Sequence, residues 1–355
     1  MLLFDAHLDL SLNALSWNRD LTQPLSDIRE REKGKTDIKA RGTGTVCLPE
    51  MRAAEIGICV ATQIGHSVSK HSPLYGWNSP ELAWAQTQGQ LAWYRTMEEQ
   101  GQMKQIASAS VLDEHLQSYA ENPDNTPIGY ILSLEGADSL LTLDHLERAY
   151  DYGLRALGPA HYGPGRYAPG TGESGPLEPR GRELLKAMDS LSMALDVTHL
   201  TDEGMDEALD LFQGTVWASH SNCRSIIPGQ RQLNDHQIKR LVERDAVIGV
   251  ALDAWMLYPN WIKGTTTPEE SGVLLESVAD QIDHVCQLAG STRHSGVGSD
   301  LDGGFGTEQC PKDLNTIKDL RRIAGLLENR GYSEADIESI MHGNWLRVVR
   351  TVVGK

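Results

Sequence analysis

Six places along this chain carry side chains able to hold a metal ion or move a proton: His7-Leu8-Asp9, Glu135, His161, His199, His220 and Asp300. Imidazole nitrogens and carboxylate oxygens in this mixture suit zinc, with iron, manganese and cobalt as poorer matches. Within a strand, residues i and i+2 project to the same side, so His7 and Asp9 are expected to share one ion. Two further histidines from neighbouring strands could hold a second ion, with a carboxylate such as Glu135 bridging the pair. Two metals a few ångströms apart lower the pKa of a shared water and polarise a scissile carbonyl together. Taken singly, each residue has a plainer role. A lone strand-end histidine is more often a hydrogen-bonded structural group, an isolated glutamate a cap or salt-bridge partner, and Asp300 a turn residue in Asp300-Leu301-Asp302-Gly303-Gly304.

Their joint placement is what argues for chemistry. Short apolar, β-branched runs predict eight buried parallel strands: Leu2–His7, Ile56–Ile64, Ile128–Leu134, Leu154–Ala160, Ala194–His199, Thr215–His220, Ala246–Leu252 and His294–Ser299. Helical patterns lie between them, over Pro80–Glu99, Leu143–Tyr152, Glu178–Leu191, Asp202–Phe212, Asn234–Arg244 and Glu270–Leu288. This alternation predicts an α/β chain folded as one (β/α)8 TIM barrel of the metal-dependent hydrolase type, a single domain over residues 1–355 with extra C-terminal helices. Six of the eight strands end in, or run directly into, one of the residues above, and barrel active sites are built at the C-terminal ends of strands. Independent structural residues have no reason to collect there.

A ninth run, Gln105–Val111, is expected at an edge outside the barrel, and Asp313–Val353 as two or three helices with Ser333 as a cap. Leu21–Gly44 and the Gly- and Pro-dense Tyr162–Glu178 read as long loops shaping the substrate mouth. The aromatic stretch Trp77–Trp93 reads as helix core before it reads as a contact surface. The other histidines (His66, His71, His115, His145, His236, His284, His294 and His342) are expected to have no catalytic part.

Composition narrows the partners. A formal charge of −17 with no basic stripe argues against nucleic acid and for a small-molecule substrate or a second copy of the chain. No run approaches the roughly 18 apolar residues of a membrane span, and the start lacks the pattern of a secretory signal. Five scattered cysteines read as reduced thiols, so a cytoplasmic protein is expected.

Asp5-Ala6-His7-Leu8-Asp9, Leu134-Glu135-Gly136, Asp196-Val197-Thr198-His199, Ser219-His220-Ser221-Asn222 and Gly298-Ser299-Asp300-Leu301-Asp302-Gly303 together resemble, in order, the signature set of the membrane (renal) dipeptidase family of the amidohydrolase superfamily. The resemblance spans nearly the whole chain. It implies two zinc ions per chain, one held by His7, Asp9 and Glu135, the other by Glu135, His199 and His220. It further implies that a bridging hydroxide attacks the amide carbonyl, that Asp300 takes up and relays the proton, and that His161 stabilises the oxyanion. Arg231 matches the arginine that grips the substrate's terminal carboxylate, with Arg224 a second basic candidate. A homodimer is what the family suggests. Departures fall around His161, at Gln232, and at Ala251-Leu252-Asp253-Ala254-Trp255, where Asp253 replaces part of an aromatic wall and is a candidate substrate contact. The expected function is a zinc metallopeptidase hydrolysing small dipeptides, L-D as well as L-L. The alternatives are an amidohydrolase acting on N-acyl amino acids, lactams or other small amides, and a metal-binding barrel without turnover.

Overall fold

The computed structural model describes residues 1–68, 72, 74 and 76–354. The strands, in chain order, are β1 (Leu3–Leu8), β2 (Ile56–Ile64), β3 (Met103–Gln105), β4 (Ile128–Glu135), β5 (Leu154–Gly158), β6 (Ala194–Asp196), β7 (Val216–Trp217), β8 (Ile248–Val250) and β9 (Ser295–Val297). All pair in parallel, in the order β7-β6-β5-β4-β2-β1-β9-β8, and a parallel bridge between Ala218 and Ile248 joins the two ends of that path. The result is the expected eight-stranded barrel, wrapped by helices. Parallel strands need crossover helices and are covered on both faces, which is why these segments read as continuous apolar runs instead of alternating ones. Where the ring closes the backbones come very near. A Cβ at Gly298 would sit 1.7 Å from the Ser219 carbonyl oxygen, so only glycine fits.

One end of the barrel is plugged by the C-terminal helix Asn344–Val353. Its Trp345, Val348, Val349, Val352 and Val353 share one buried cluster with Phe4, Ile58, Val60, Ile131 and Trp217 of the strands. The Trp345 ring lies 6.0 Å from Phe4 and 6.0 Å from Trp217, centroid to centroid. This tail also contains a helix opened by Ser333, whose hydroxyl accepts from the Asp336 amide, the cap that the sequence predicts.

Several expectations need correction. The ninth run is displaced: β3 covers Met103–Gln105 beside β4, and Ser108 then caps a helix over Ala109–Glu121, its side chain accepting from the Val111 amide. Leu21–Gly44 is not simply a loop, since Leu25–Glu32 is helical and buries Leu25, Ile28 and Glu32. The helix expected over Glu270–Leu288 is two, Pro268–Ser271 and Glu276–Ala289, the first stopped at Gly272 with φ 67°. Strands β6 to β9 are two or three residues long, so His199, His220 and Asp300 stand on the loops that follow. Pro80–Glu99 packs Ala83, Thr87, Gln90, Tyr94 and Met97 inward while Leu82 stays half exposed. All five cysteines are buried and unpaired, and no described helix is long and apolar enough to cross a membrane.

Candidate metal centre

The convergence of His7 and Asp9 does not come from strand pleating. β1 ends at Leu8, and its register against β2 slips by one residue between Asp5 and Leu8. Asp9 has already left the strand (φ −93°, ψ 39°) and sits at the start of helix Leu10–Ser16. The slip and the turn together bring the Asp9 Oδ1 to 4.0 Å from His7 Nε2. Glu135 is the last residue of β4, four places after Ile131 of the buried barrel cluster and on the same strand face. His199 and Asp300 take φ of 70° and 57°, a left-handed conformation uncommon outside glycine. Such strain persists where surrounding structure holds it, and it concentrates at functional sites. Here the β9 loop must also leave room for the carboxylate: a Cβ at Gly303 would lie 1.8 Å from Asp300 Oδ1.

The side chains meet around Glu135. Its Oε2 faces His7 Nε2 at 3.6 Å, and its Oε1 faces His199 Nε2 at 3.2 Å and His220 Nε2 at 3.4 Å. The two imidazole nitrogens of His199 and His220 are 3.3 Å apart. Two sets of donor atoms thus share one carboxylate: His7, Asp9 and Glu135, and Glu135, His199 and His220. His7 Nε2, Asp9 Oδ1 and Glu135 Oε1 are buried with no hydrogen-bond partner among the described residues, which a protein rarely tolerates unless something else satisfies them. The electrostatics agree. Burial, with the charge of Arg231 and the neighbouring imidazoles, holds His7, His199 and His220 below the usual histidine range, so the rings are neutral donors. Burial and then Glu135 push Asp9 and Asp300 well up, and burial raises Glu135. Neutral imidazoles among crowded carboxylates make an environment that divalent cations relieve.

The supporting contacts fix which atoms face inward. The Nδ1 of His199 pairs with the Thr171 hydroxyl at 2.8 Å, and that of His220 with the Ser219 hydroxyl at 2.8 Å, leaving both Nε2 atoms to the centre. Asp5 accepts from the Ser299 amide at 2.8 Å and its hydroxyl at 2.5 Å, tying the β1 and β9 ends together. Asp196 accepts from the amides of Thr198 and Ser219, doing the same for β6 and β7. Asp302 accepts from the Asp9 amide at 2.8 Å, while Asn13 donates to the carbonyls of Asp302 and Asp9. Arg19 donates to Asn13 at 2.7 Å and pairs with Glu32 at 2.8 Å, so helix Leu25–Glu32 braces the Asp9 turn. The roles of Asp5, Asp196, Asp302, Asn13, Arg19 and Glu32 become visible only in the fold. The aspartates preceding His7 and His199 were the available signal.

A cleft of about 210 Å³ opens over the cluster, lined among others by His161, Arg231, Asp253, Trp255, Lys263 and Asp300. His161 points its Nε2 at Glu135 Oε2 from 3.9 Å, and burial lowers its pKa to about 3. Arg231 is buried, donates to the His220 carbonyl at 2.8 Å and to the Ser221 hydroxyl at 3.3 Å, and has no ion-pair partner among the described residues. Arg224 instead pairs with Asp202 at 2.7 Å and does not line the cleft. Asp253 is buried at the cleft wall, where both its oxygens accept from the Gln309 amide. The Lys263 ammonium sits 4.0 Å from the Trp255 ring centroid. Of the histidines set aside from sequence, His66 stands beside the site, its ring 6.0 Å from that of His161 and its Nδ1 3.1 Å from Asp138. His115 and His294 donate to backbone carbonyls and His284 pairs with Asp235. His71 lies outside the described residues.

The family model for the membrane dipeptidases (Peptidase family M19) matches residues 1–354, and the chain belongs to that family. An uncharacterized dipeptidase of Schizosaccharomyces pombe is 31% identical over 175 residues, 49% of this chain and 40% of that protein. A dipeptidase of Claviceps purpurea is 29% identical over 180 residues, 50% of this chain and 38% of that protein. The chain thus spans about two fifths of the length of these two relatives. In fold, it matches a metallopeptidase from Rhodobacter sphaeroides, solved with a phosphinate mimic of the dipeptide L-Ala-D-Ala, with TM-score 0.78 and 23% identity over 99% of both chains. A solved family M19 dipeptidase gives TM-score 0.80 and 24% identity, covering 100% of this chain and 99% of that one.

Proposed function

We propose that this chain is a dipeptidase that works with two zinc ions, one held by His7, Asp9 and Glu135 and the other by Glu135, His199 and His220. The observation that carries the reading is the division of the Glu135 oxygens, one toward His7 and one toward the His199–His220 pair, beside the buried Arg231 guanidinium, which has no ion-pair partner among the described residues. When bound, such ions supply an activated water and polarise the carbonyl that it attacks. The protein's own groups do the rest. Arg231 binds the C-terminal carboxylate, a task that suits a planar guanidinium with free donors. That contact sets the scissile carbonyl over the cluster. His161, kept neutral by burial, donates an Nε2 hydrogen bond to the developing oxyanion. Asp300, with Oδ1 4.0 Å from His7 Nε2, accepts the proton of the attacking water and passes it to the leaving amine. Asp253 and its Gln309 clamp border the C-terminal residue of the substrate.

Zinc-loaded protein should release free amino acids from a panel of L-L and L-D dipeptides, and a His199→Ala variant should not. Failure on every dipeptide would sink the reading. The acidic Asp253 in the cleft wall favours one second reading, a related amidohydrolase for N-acyl amino acids or lactams. Faster turnover of those compounds than of any dipeptide would establish it.

A further inference from the structure

A second cavity lies beside the cleft over the donor cluster. It measures about 280 Å³, and its walls come from Leu12 and Trp17 after β1 and from Ile64, Leu74 and Trp77 at and after the end of β2. It meets the polar cleft along a shared edge formed by His161, Tyr162 and Gly304. The two cavities differ sharply in chemistry. The cleft side carries Arg231, Asp253, Lys263 and Lys39, whereas the described residues around the second cavity are, apart from His66 and the shared edge, aliphatic and indole side chains.

The barrel order relates the two to a substrate. Arg231 lies in the segment after β7, and β2 stands across the eight-strand ring from β7. A dipeptide whose carboxylate meets Arg231 and whose amide lies over Glu135 must direct its N-terminal residue toward the β2 side. That direction leads past His161 into the apolar cavity. The space is ample for a leucine, methionine or phenylalanine side chain, and a glycine or charged residue would leave it unfilled or desolvate a charge there.

We infer that this cavity receives the side chain of the N-terminal residue, and that the enzyme selects dipeptides whose N-terminal residue is bulky and apolar. The inference deepens the dipeptidase reading and rests on it for the orientation of the substrate. Burying such a side chain corresponds to roughly a 10- to 100-fold gain in kcat/KM over glycine.

The test has two arms, run on the zinc-loaded full chain and on Leu12→Trp, which narrows the cavity. One measures kcat/KM for Phe-Ala, Leu-Ala, Gly-Ala, Asp-Ala and Lys-Ala with either alanine enantiomer. The other measures binding of phosphinate mimics of Phe-Ala and Gly-Ala by calorimetry. The expected result is a preference for Phe and Leu over Gly, Asp and Lys of about tenfold or more, matched in binding and shrinking toward parity in Leu12→Trp. Similar turnover of all five overturns the inference and leaves the dipeptidase reading standing. No turnover, with the two mimics bound alike, overturns both. No turnover, with a discrimination between mimics that Leu12→Trp erases, supports the cavity and overturns the hydrolytic reading.

Discussion

Burial keeps the imidazoles at the centre neutral and raises its carboxylates, and it also raises Asp253 nearby. Its carboxyl is raised to about 6, against roughly 4 in an unfolded chain. Between those values the folded protein holds the proton and the unfolded chain does not, so this group lowers stability as pH rises through the window. Asp253→Asn removes the effect. Relative to wild type, the variant should gain about 2–3 kcal/mol in denaturant unfolding on going from pH 4 to pH 7; a constant difference across that range would contradict the assignment. Arg231→Ala should lower kcat/KM for dipeptides by roughly 10- to 100-fold, chiefly through KM, as expected for a lost charge-assisted pair. An unchanged KM would place the carboxylate elsewhere. At this scale the sequence is at its most legible. His7, Asp9, Glu135, His199 and His220 are named by residue type and strand-end position, and they do meet. The left-handed φ of His199 and Asp300 was not readable, because a turn of that kind is imposed by the packing around it.

Elements decide how firmly those atoms are held. The segment expected as a loop over Leu21–Gly44 contains the helix that carries Glu32, and a buried chain runs from Glu32 through Arg19 and Asn13 to Asp302 and the Asp9 amide. Its charged composition hid the helix, since only Leu25 and Ile28 give it an apolar face and its buried Glu32 is satisfied by Arg19 and Arg41 from outside the helix. Asn13→Ala should weaken metal binding by roughly 10- to 100-fold in a competitive chelator titration, the usual loss when an outer contact is removed. Unaltered affinity would mean the brace is idle. Trp345 acts at the opposite end of the barrel, between Phe4 and Trp217. Trp345→Ala should cost about 3–5 kcal/mol in unfolding free energy with kcat/KM little changed in the folded protein. A large loss of activity without loss of stability would show that the plug communicates with the site. The strand positions were legible within a few residues because buried parallel strands are apolar on both faces. The strand ends were not, because Asp9, His199 and His220 leave the ladder through turns that only neighbouring backbone dictates.

At the scale of the whole molecule, a closed parallel barrel gathers at its C-terminal mouth two donor sets that share one carboxylate. Ordered motifs along nearly the full chain made the family readable, while the apolar cavity beside His161 was not, since Leu12, Trp17, Ile64, Leu74 and Trp77 come from segments brought together only by the fold. The most direct measurement is metal content by elemental analysis of zinc-saturated, desalted protein, for wild type, His199→Ala and Glu135→Ala. Two zinc ions are expected per wild-type chain, one in His199→Ala, and at most traces in Glu135→Ala, because both proposed zinc sites use that residue while the remaining donor set, His7, His220 and Asp300, offers only a third, mononuclear arrangement. A single ion in wild type, or two ions retained without Glu135, would contradict this expectation.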